Sequence, residues 1–353
     1  MAIIVVLSLL TWRAVVSRNE AQQARDIAVA RQLAAEALNR VDSDTEASLD
    51  LALQAVDQAD LLEVKDTLRD ILPNLRAWRS LNTGSDDALA AAWTGDGKRV
   101  ALGLGHGDVQ IWDAAAGELL TTLSGHTEPV YSVQFNPRGT HLVSASYSDE
   151  ADGTLRLWDV ATGQTVGELK GHTAGVFSLA WQPNGTLLLS GGADGTVRLW
   201  NMTTLKSVGV LRQHSDWVRG VTWRPDGRKF ATVGNNGEIF IWDLDTLAIE
   251  TRFTGHQGDV ISVAWSPDGR YLATGGADGT VRLWDTVEEH IVDVLSGHAG
   301  WVRGVAWHPD GRRLASGSGD TRVILWDIET NRPILSLTGH SNWVRSVAWH
   351  PSG

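Results

Sequence analysis

Histidine, a hydroxyl and a carboxylate are the side-chain types of nucleophilic hydrolysis, in which imidazole takes the hydroxyl proton and the carboxylate holds the ring in place. The 353-residue sequence presents that set repeatedly: His126, Ser144 and Asp152; His172, Ser190 and Asp194; His256, Thr274 and Asp278; His298, Ser316 and Asp320. A further copy, His214 and Thr232, has Asn236 in the carboxylate place, and Gln213 where the others have Gly before the His. An enzyme needs one nucleophile in one cleft, so this recurrence argues for a structural use. Each hydroxyl is followed by a tryptophan: Trp158, Trp200, Trp242, Trp284 or Trp326. An indole N–H only donates, a hydroxyl accepts and passes on, imidazole does likewise, and a carboxylate ends the chain. The expectation is a buried relay, such as Trp200 to Ser190 to His172 to Asp194, with the Asn236 amide oxygen as an uncharged acceptor in its copy. No catalytic, metal or cofactor role is expected of these residues.

Placing such sets requires a repeated element. His126, His172, His214, His256, His298 and His340 are spaced by 46, 42, 42, 42 and 42 residues, and the decapeptide GGADGTVRLW stands at both 191–200 and 275–284. After each His comes a short strand such as VISVAW, the turn SPDG, a second strand YLATGG, the turn ADGT, a third strand VRLWD and a fourth, IVDVLS. Short strands joined by Pro-Asp-Gly and Asp-Gly turns describe an antiparallel meander. The extra residues of the first interval fit SYSDEADGT, as a longer turn between second and third strands. One small sheet cannot bury both faces, whereas radial stacking covers each face with the next sheet and leaves the innermost strands apolar on both sides. The aromatic ends of those strands, Trp93, Phe135, Trp181, Trp223, Trp265, Trp307 and Trp349, read as packing between sheets.

Gly-His, a Pro-Asp-Gly turn and a Trp-Asp ending about 28 residues after the His together resemble the WD-repeat family of β-propellers, over residues 75–353. The resemblance implies an all-β propeller of six complete blades, with third strands ending at Trp112, Trp158, Trp200, Trp242, Trp284 and Trp326, plus a partial seventh opening at His340. It also implies that the relay is that family's structural tetrad. The first blade has Gly84, Leu102 and His106 beside Trp112, so it lacks the relay and is expected to be looser. RAWRSL at 76–81 falls where a fourth strand precedes Gly84, and it complements the missing strands of the seventh blade. The expectation is a piece of a longer protein whose ring closes with an N-terminal strand. In such propellers the third and fifth residues after the His lie at the mouth of the central channel. Here the third positions are Pro129, Gly175, Trp217, Asp259, Trp301 and Trp343, and the fifth are Tyr131, Phe177, Arg219, Ile261, Arg303 and Arg345. Aromatic and arginine side chains dominate binding hot spots. Tyr131, Phe177, Trp217, Arg219, Asp259, Trp301, Arg303, Trp343 and Arg345 are therefore the expected partner-binding residues, for a protein or peptide.

Composition narrows the choice. The sequence is 42% hydrophobic, ample for a core, and has no cysteine, which removes disulfides, thiolate metal sites and cysteine nucleophiles and fits a cytoplasmic protein. The net charge of −12 divides into −3 over residues 1–83 (nine basic, twelve acidic) and −9 over 84–353 (21 basic, 30 acidic), which disfavours nucleic acid. Residues 1–16 open with AIIVVLSLLTW, too short to span a bilayer. Two readings of it stand, a frayed apolar start to a helix or the tail of a membrane segment that tethers the protein to the inner membrane face. Residues 17–74 read as helices: RNEAQQARDIAVARQLAAEALNR places Ile27, Leu33, Ala34, Ala37, Leu38 and Val41 on one face, EASLDLALQAVDQ follows, and a third begins at the Asp60 and Glu63 capping box and stops at Pro73. These Ala-rich helices followed by WVRSVAW repeats resemble the C-terminal part of bacterial signalling NTPases of the STAND class. GDGK at 95–98 lacks Walker A spacing, so the resemblance implies a sensor without its motor. The function expected is a non-enzymatic interaction scaffold or sensor. The alternative is a propeller hydrolase with its active site in the channel, for which Asp259 is the one mouth carboxylate. No small-molecule substrate is expected.

Overall fold

The computed structural model describes residues 21–37, 39, 51, 54–55, 81, 83–84, 87–147 and 153–353. They fall in two units, one within residues 1–80 and one spanning 81–353. In the first, residues 21–37 form a helix whose buried Ala30, Ala34 and Ala37 recur at helical spacing, with Ala55 and the half-buried Leu33 joining Ala30 and Ala34 in a small apolar cluster. Leu38 and Val41 of the expected face, the second and third helices in large part, and the apolar segment 1–16 lie outside the described residues. No described helix is long and apolar enough to cross a membrane.

In the second unit, Pro-Asp-Gly and Asp-Gly turns fold the chain into six four-stranded antiparallel sheets, each paired in sequence order. Blade one consists of Ala88–Trp93, Arg99–Leu104, Val109–Asp113 and Leu119–Leu123. The others open with the inner strands Val130–Phe135, Val176–Trp181, Val218–Trp223, Val260–Trp265 and Val302–Trp307, and each of these strands contacts the inner strand of the blade before it. This is a β-propeller, and its core lies between sheets rather than within one. Ile111 and Leu123 of blade one pack with Val133, Phe135 and Trp158 of blade two, and Leu199 and Leu211 of blade three pack with Trp223, Phe230 and Trp242 of blade four. The third-strand tryptophans of blades two to six, Trp158, Trp200, Trp242, Trp284 and Trp326, are among the most deeply buried of the described side chains.

The ring closes through a seventh position that holds one inner segment, residues 341–353. Val344 N–H donates to Ser318 O at 2.9 Å, and the Trp349 indole donates to Ala306 O at 3.1 Å, as Trp307 does to Ala264 O at 3.2 Å one blade earlier. On the other side the His350 ring meets Trp93 edge-on at 5.1 Å, and its Nε2–H donates to Gly97 O at 3.3 Å. Gly97 has φ +70, and a Cβ there would fall 2.0 Å from His350 Nε2, so glycine is what lets the ring join. Leu337 at the end of blade six is 36% exposed, whereas its counterparts Leu123, Leu169 and Leu295 are at most 2% exposed. Leu81 is half-buried against Val100, Leu102, Leu104 and Trp112 of blade one; residues 76–80 lie outside the described set.

Candidate binding site at the channel mouth

The recurrent histidines do not make an active site. In blade three, Trp200 donates to Ser190 Oγ at 2.8 Å, Ser190 Oγ lies 2.7 Å from His172 Nε2, and His172 Nδ1 lies 3.0 Å from both carboxylate oxygens of Asp194. The Trp N–H occupies the hydroxyl as an acceptor, so the hydroxyl proton goes to Nε2 and the imidazole carries its own proton on Nδ1, toward Asp194. Blades five and six repeat the geometry through His256, Thr274, Asp278 and Trp284 and through His298, Ser316, Asp320 and Trp326. In blade two His126, Ser144 and Trp158 take the same places, while Asp152 lies outside the described residues. In blade one the Trp112 indole donates instead to Gln110 at 3.1 Å. Ser144, Ser190, Thr232, Thr274 and Ser316 are 0% exposed, so a solvent-borne substrate reaches none of these hydroxyls.

Blade four requires a correction. The residue that accepts from His214 Nδ1 is Glu238, at 3.0 Å, and not Asn236. Asn236 adopts a left-handed conformation, φ 64, and its amide faces Ser215 Oγ at 3.4 Å. Glu238 occupies the place of Thr196 in blade three, where the Thr hydroxyl donates to Asp194. The longer Glu side chain reaches back to the His that Asn236, turned away by its left-handed backbone, does not serve, and it also accepts from Ser215 N–H at 3.1 Å, as Asp194 does from Thr173 N–H at 3.0 Å.

Burial fixes the charge states. It lowers His126 to about 4, and it pushes His172, His214, His256 and His298 below the ordinary histidine value against the pull of their carboxylate partners. For the carboxylates burial pulls upward but is outweighed by hydrogen bonds. Those from His172, Thr196 and the Thr173 backbone hold Asp194 well below its usual range, and Asp278 sits at about 2. In blades three, five and six the relays are thus neutral rings on ionised carboxylates.

The binding residues are placed by a different device. In all six blades the pairing of first and second strands skips one residue: Leu89, Tyr131, Phe177, Arg219, Ile261 and Arg303 are each left out of register as a β-bulge. A bulge bends the strand and re-aims the unpaired side chain. These six, with Arg345 of the seventh segment, line a central cavity of about 180 Å³ together with Ser132, Ser178, Ser262 and Ser346. From blade two to blade six the fifth position after the His is therefore the bulge position, and the bulge re-aims that side chain; Arg345 lines the same cavity from the equivalent position of the seventh segment.

Around the mouth the side chains form two sectors. Across blades two to four, Tyr147 stacks on Phe177 at 4.7 Å, Phe177 meets Tyr131 at 6.1 Å and Trp217 at 5.4 Å, and Arg219 lies over Phe177 at 4.6 Å and Trp217 at 4.5 Å. Arg219 Nε donates to Asn235 Oδ1 at 2.9 Å; burial pulls its guanidinium below the ordinary arginine value, against the favourable charge of Asp259. Asp259 itself accepts from Asn236 N–H at 3.2 Å. Across blade six and the seventh segment, Arg303 lies over Trp343 at 4.2 Å and Trp301 at 5.3 Å, and Arg345 lies over Trp343 at 5.4 Å and Tyr131 at 5.8 Å. Trp301 and Trp343 are 47% and 50% exposed. Burial first, then the like charges of Arg345 and Arg219, pull Arg303 below the ordinary arginine value. The sequence reading omitted Tyr147 and Asn235, which occupy the position directly after the second strand, where blades three and five have Ala193 and Ala277. A large side chain in a place that the other blades give to alanine or, at Gly105 and Gly319, to glycine was the available signal.

Profiles of known families match this ring. The WD domain, G-beta repeat profile matches residues 117–159, 289–327 and 331–353, and that of the IFT122 first beta-propeller matches residues 148–294. The chain carries WD40 repeats. Curated relatives of this WD-repeat propeller include the SIR4-interacting protein SIF2 of Saccharomyces cerevisiae, 38% identical over 53 residues, or 15% of this chain and 10% of the relative. The WD40 repeat-containing protein HOS15 of Arabidopsis thaliana is 47% identical over 34 residues, covering 10% of this chain and 6% of that one. The WD repeat-containing protein srw1 of Schizosaccharomyces pombe is 35% identical over 65 residues, covering 18% and 11%. The matched stretches thus span about a tenth or less of these relatives' lengths, and they report shared repeats rather than shared partners.

Proposed function

We propose that this WD-repeat propeller is a non-enzymatic interaction module that holds a protein or peptide partner at the channel mouth between blade six and the seventh segment. The observation that carries the reading is the pair of half-exposed tryptophans, Trp301 beside the bulge-positioned Arg303 and Trp343 beside Arg345 at the matching position of the seventh segment. Large apolar rings left open beside charged donors are the make-up of binding hot spots, and WD-repeat propellers are typical of interaction scaffolds. The test is capture from a native lysate by wild-type protein and by the double variant Arg303→Glu, Arg345→Glu. A set of proteins retained by the first and lost by the second supports the reading, and identical captured sets remove it. The cysteine-free sequence supports a cytoplasmic setting. The Ala-rich helical stretch before the ring supports a place as the sensing arm of a larger signalling protein. A full-length gene with an upstream P-loop sequence tests that last point, and a full-length gene without one discards it.

A further inference from the structure

The triplet WVR occurs three times at the mouth, at 217–219, 301–303 and 343–345; burial pulls Arg219 below the ordinary arginine value, but of the three arginines only Arg219 has a side-chain acceptor, Asn235, and a neighbouring carboxylate charge, that of Asp259. Among the described residues, neither Arg303 nor Arg345 has a carboxylate partner; their contacts are ring faces. Arg303 Nε is buried without a hydrogen-bond partner, and so is Ser262 Oγ, which lines the same cavity. A buried donor left unmade is destabilising, and Arg303 also feels the like charges of Arg345 and Arg219. All three features, the orphan donors, the like charges and the open indoles, are relieved by one kind of group: an anionic acceptor attached to an apolar body.

We infer that the occupant of this mouth is a single carboxylate side chain, Glu or Asp, on a partner peptide, seated between Arg303 and Arg345 with an aromatic or aliphatic neighbour lying on Trp301 and Trp343. This rests on the reading of the mouth as a docking site. A carboxylate suits the forked N–H donors of arginine, and a cavity of about 180 Å³ admits one such side chain. The field of the whole ring selects against anything more acidic. With 21 basic and 30 acidic residues over 84–353, the body repels an acidic tract or a cluster of phosphates. One carboxylate among neutral or basic neighbours gains the local pairing without that repulsion.

The experiment selects binders from a random seven-residue peptide display library against the full chain. Wild-type protein, Arg303→Met, Arg345→Met and the double variant are used, with Arg138→Met, in the turn at the far end of the blade-two inner strand, as a control. Thermal melting checks that each protein is folded. The expected result is that wild-type and control binders are enriched in one Glu or Asp next to an aromatic residue. A Gln or Asn replacement in a selected peptide should weaken binding at least tenfold, and the double variant should lose that discrimination. Binders without acidic enrichment, equal affinity for the Glu and Gln peptides, or discrimination that survives in the double variant overturns the carboxylate assignment while leaving the docking site in place. A phosphoserine version that binds tenfold tighter than the Glu peptide reassigns the anion and also overturns it. Failure to select any peptide, or binders unaffected by Trp301→Ala and Trp343→Ala, overturns the docking reading beneath it.

Discussion

Blade four and blade six spell the same three residues at the channel mouth, and the two copies do different work. In blade four the arginine is sandwiched by Phe177 and Trp217 and bound by Asn235, and the charge of Asp259 opposes part of its burial. In blade six the arginine has rings on its faces and an Nε without an acceptor, beside a tryptophan that is half in water. The difference lies in the neighbouring blades. Phe177 and Tyr147 come from blades two and three, and Asn235 follows the second strand of blade four. A binding surface is therefore not a property of the triplet but of what the adjoining repeats leave unsatisfied.

The relays supply the fully satisfied extreme of that comparison, and the largest expected effect belongs to them. Ser190→Ala removes the atom that joins the Trp200 N–H to His172 Nε2 and leaves both groups buried and unpaired. The expected loss is about 3 kcal/mol of stability by chemical denaturation, and a loss below about 1 kcal/mol would mean the relay is not a closed network. Next comes the blade-four exchange of carboxylate. Glu238→Ala should destabilise by about 2 kcal/mol because His214 Nδ1 and Ser215 N–H lose their acceptor. Asn236→Asp should leave stability within about 0.5 kcal/mol of wild type; a gain well above that would restore residue 236 as the partner of His214.

The acid profile has a definite sign. The relay histidines have folded values depressed below the ordinary histidine value, so the unfolded chain binds more protons between about pH 6.5 and the folded values. Their contribution is fully present above about pH 6.5 and is lost as pH falls toward the folded values, about 4 for His126. Asp278, held near 2, adds a second loss below about pH 4. Melting temperature should therefore drop from pH 7 to pH 4.5, and a flat profile would mean the rings are already charged in the fold.

The two mouth arginines separate at the small end of the scale. Arg219→Met should cost about 1 kcal/mol, since it breaks the Asn235 hydrogen bond and a buried cation–π stack. Arg303→Met should be neutral or slightly stabilising, because it removes an orphan donor and a like charge. Equal losses for the two would erase the contrast between the blades.

Most of the ring was legible in the sequence because a 42-residue period repeats the His, hydroxyl and Trp at fixed offsets, and a relay inside one sheet follows from that offset alone. Glu238 was not legible, because register pointed to 236, where the left-handed backbone turns the side chain away. The bulge was also hidden, since skipping a residue is a feature of strand pairing that no single strand announces. Nor could one blade's letters show that Tyr147 of blade two would stack on Phe177 of the next blade and fill that sector.

The most direct measurement is partner capture by the Trp301→Ala, Trp343→Ala protein, read beside its melting temperature. Both side chains are about half exposed, so melting should stay close to wild type while capture is lost. Undiminished capture by a normally folded double variant would contradict the assignment of this sector as the binding surface.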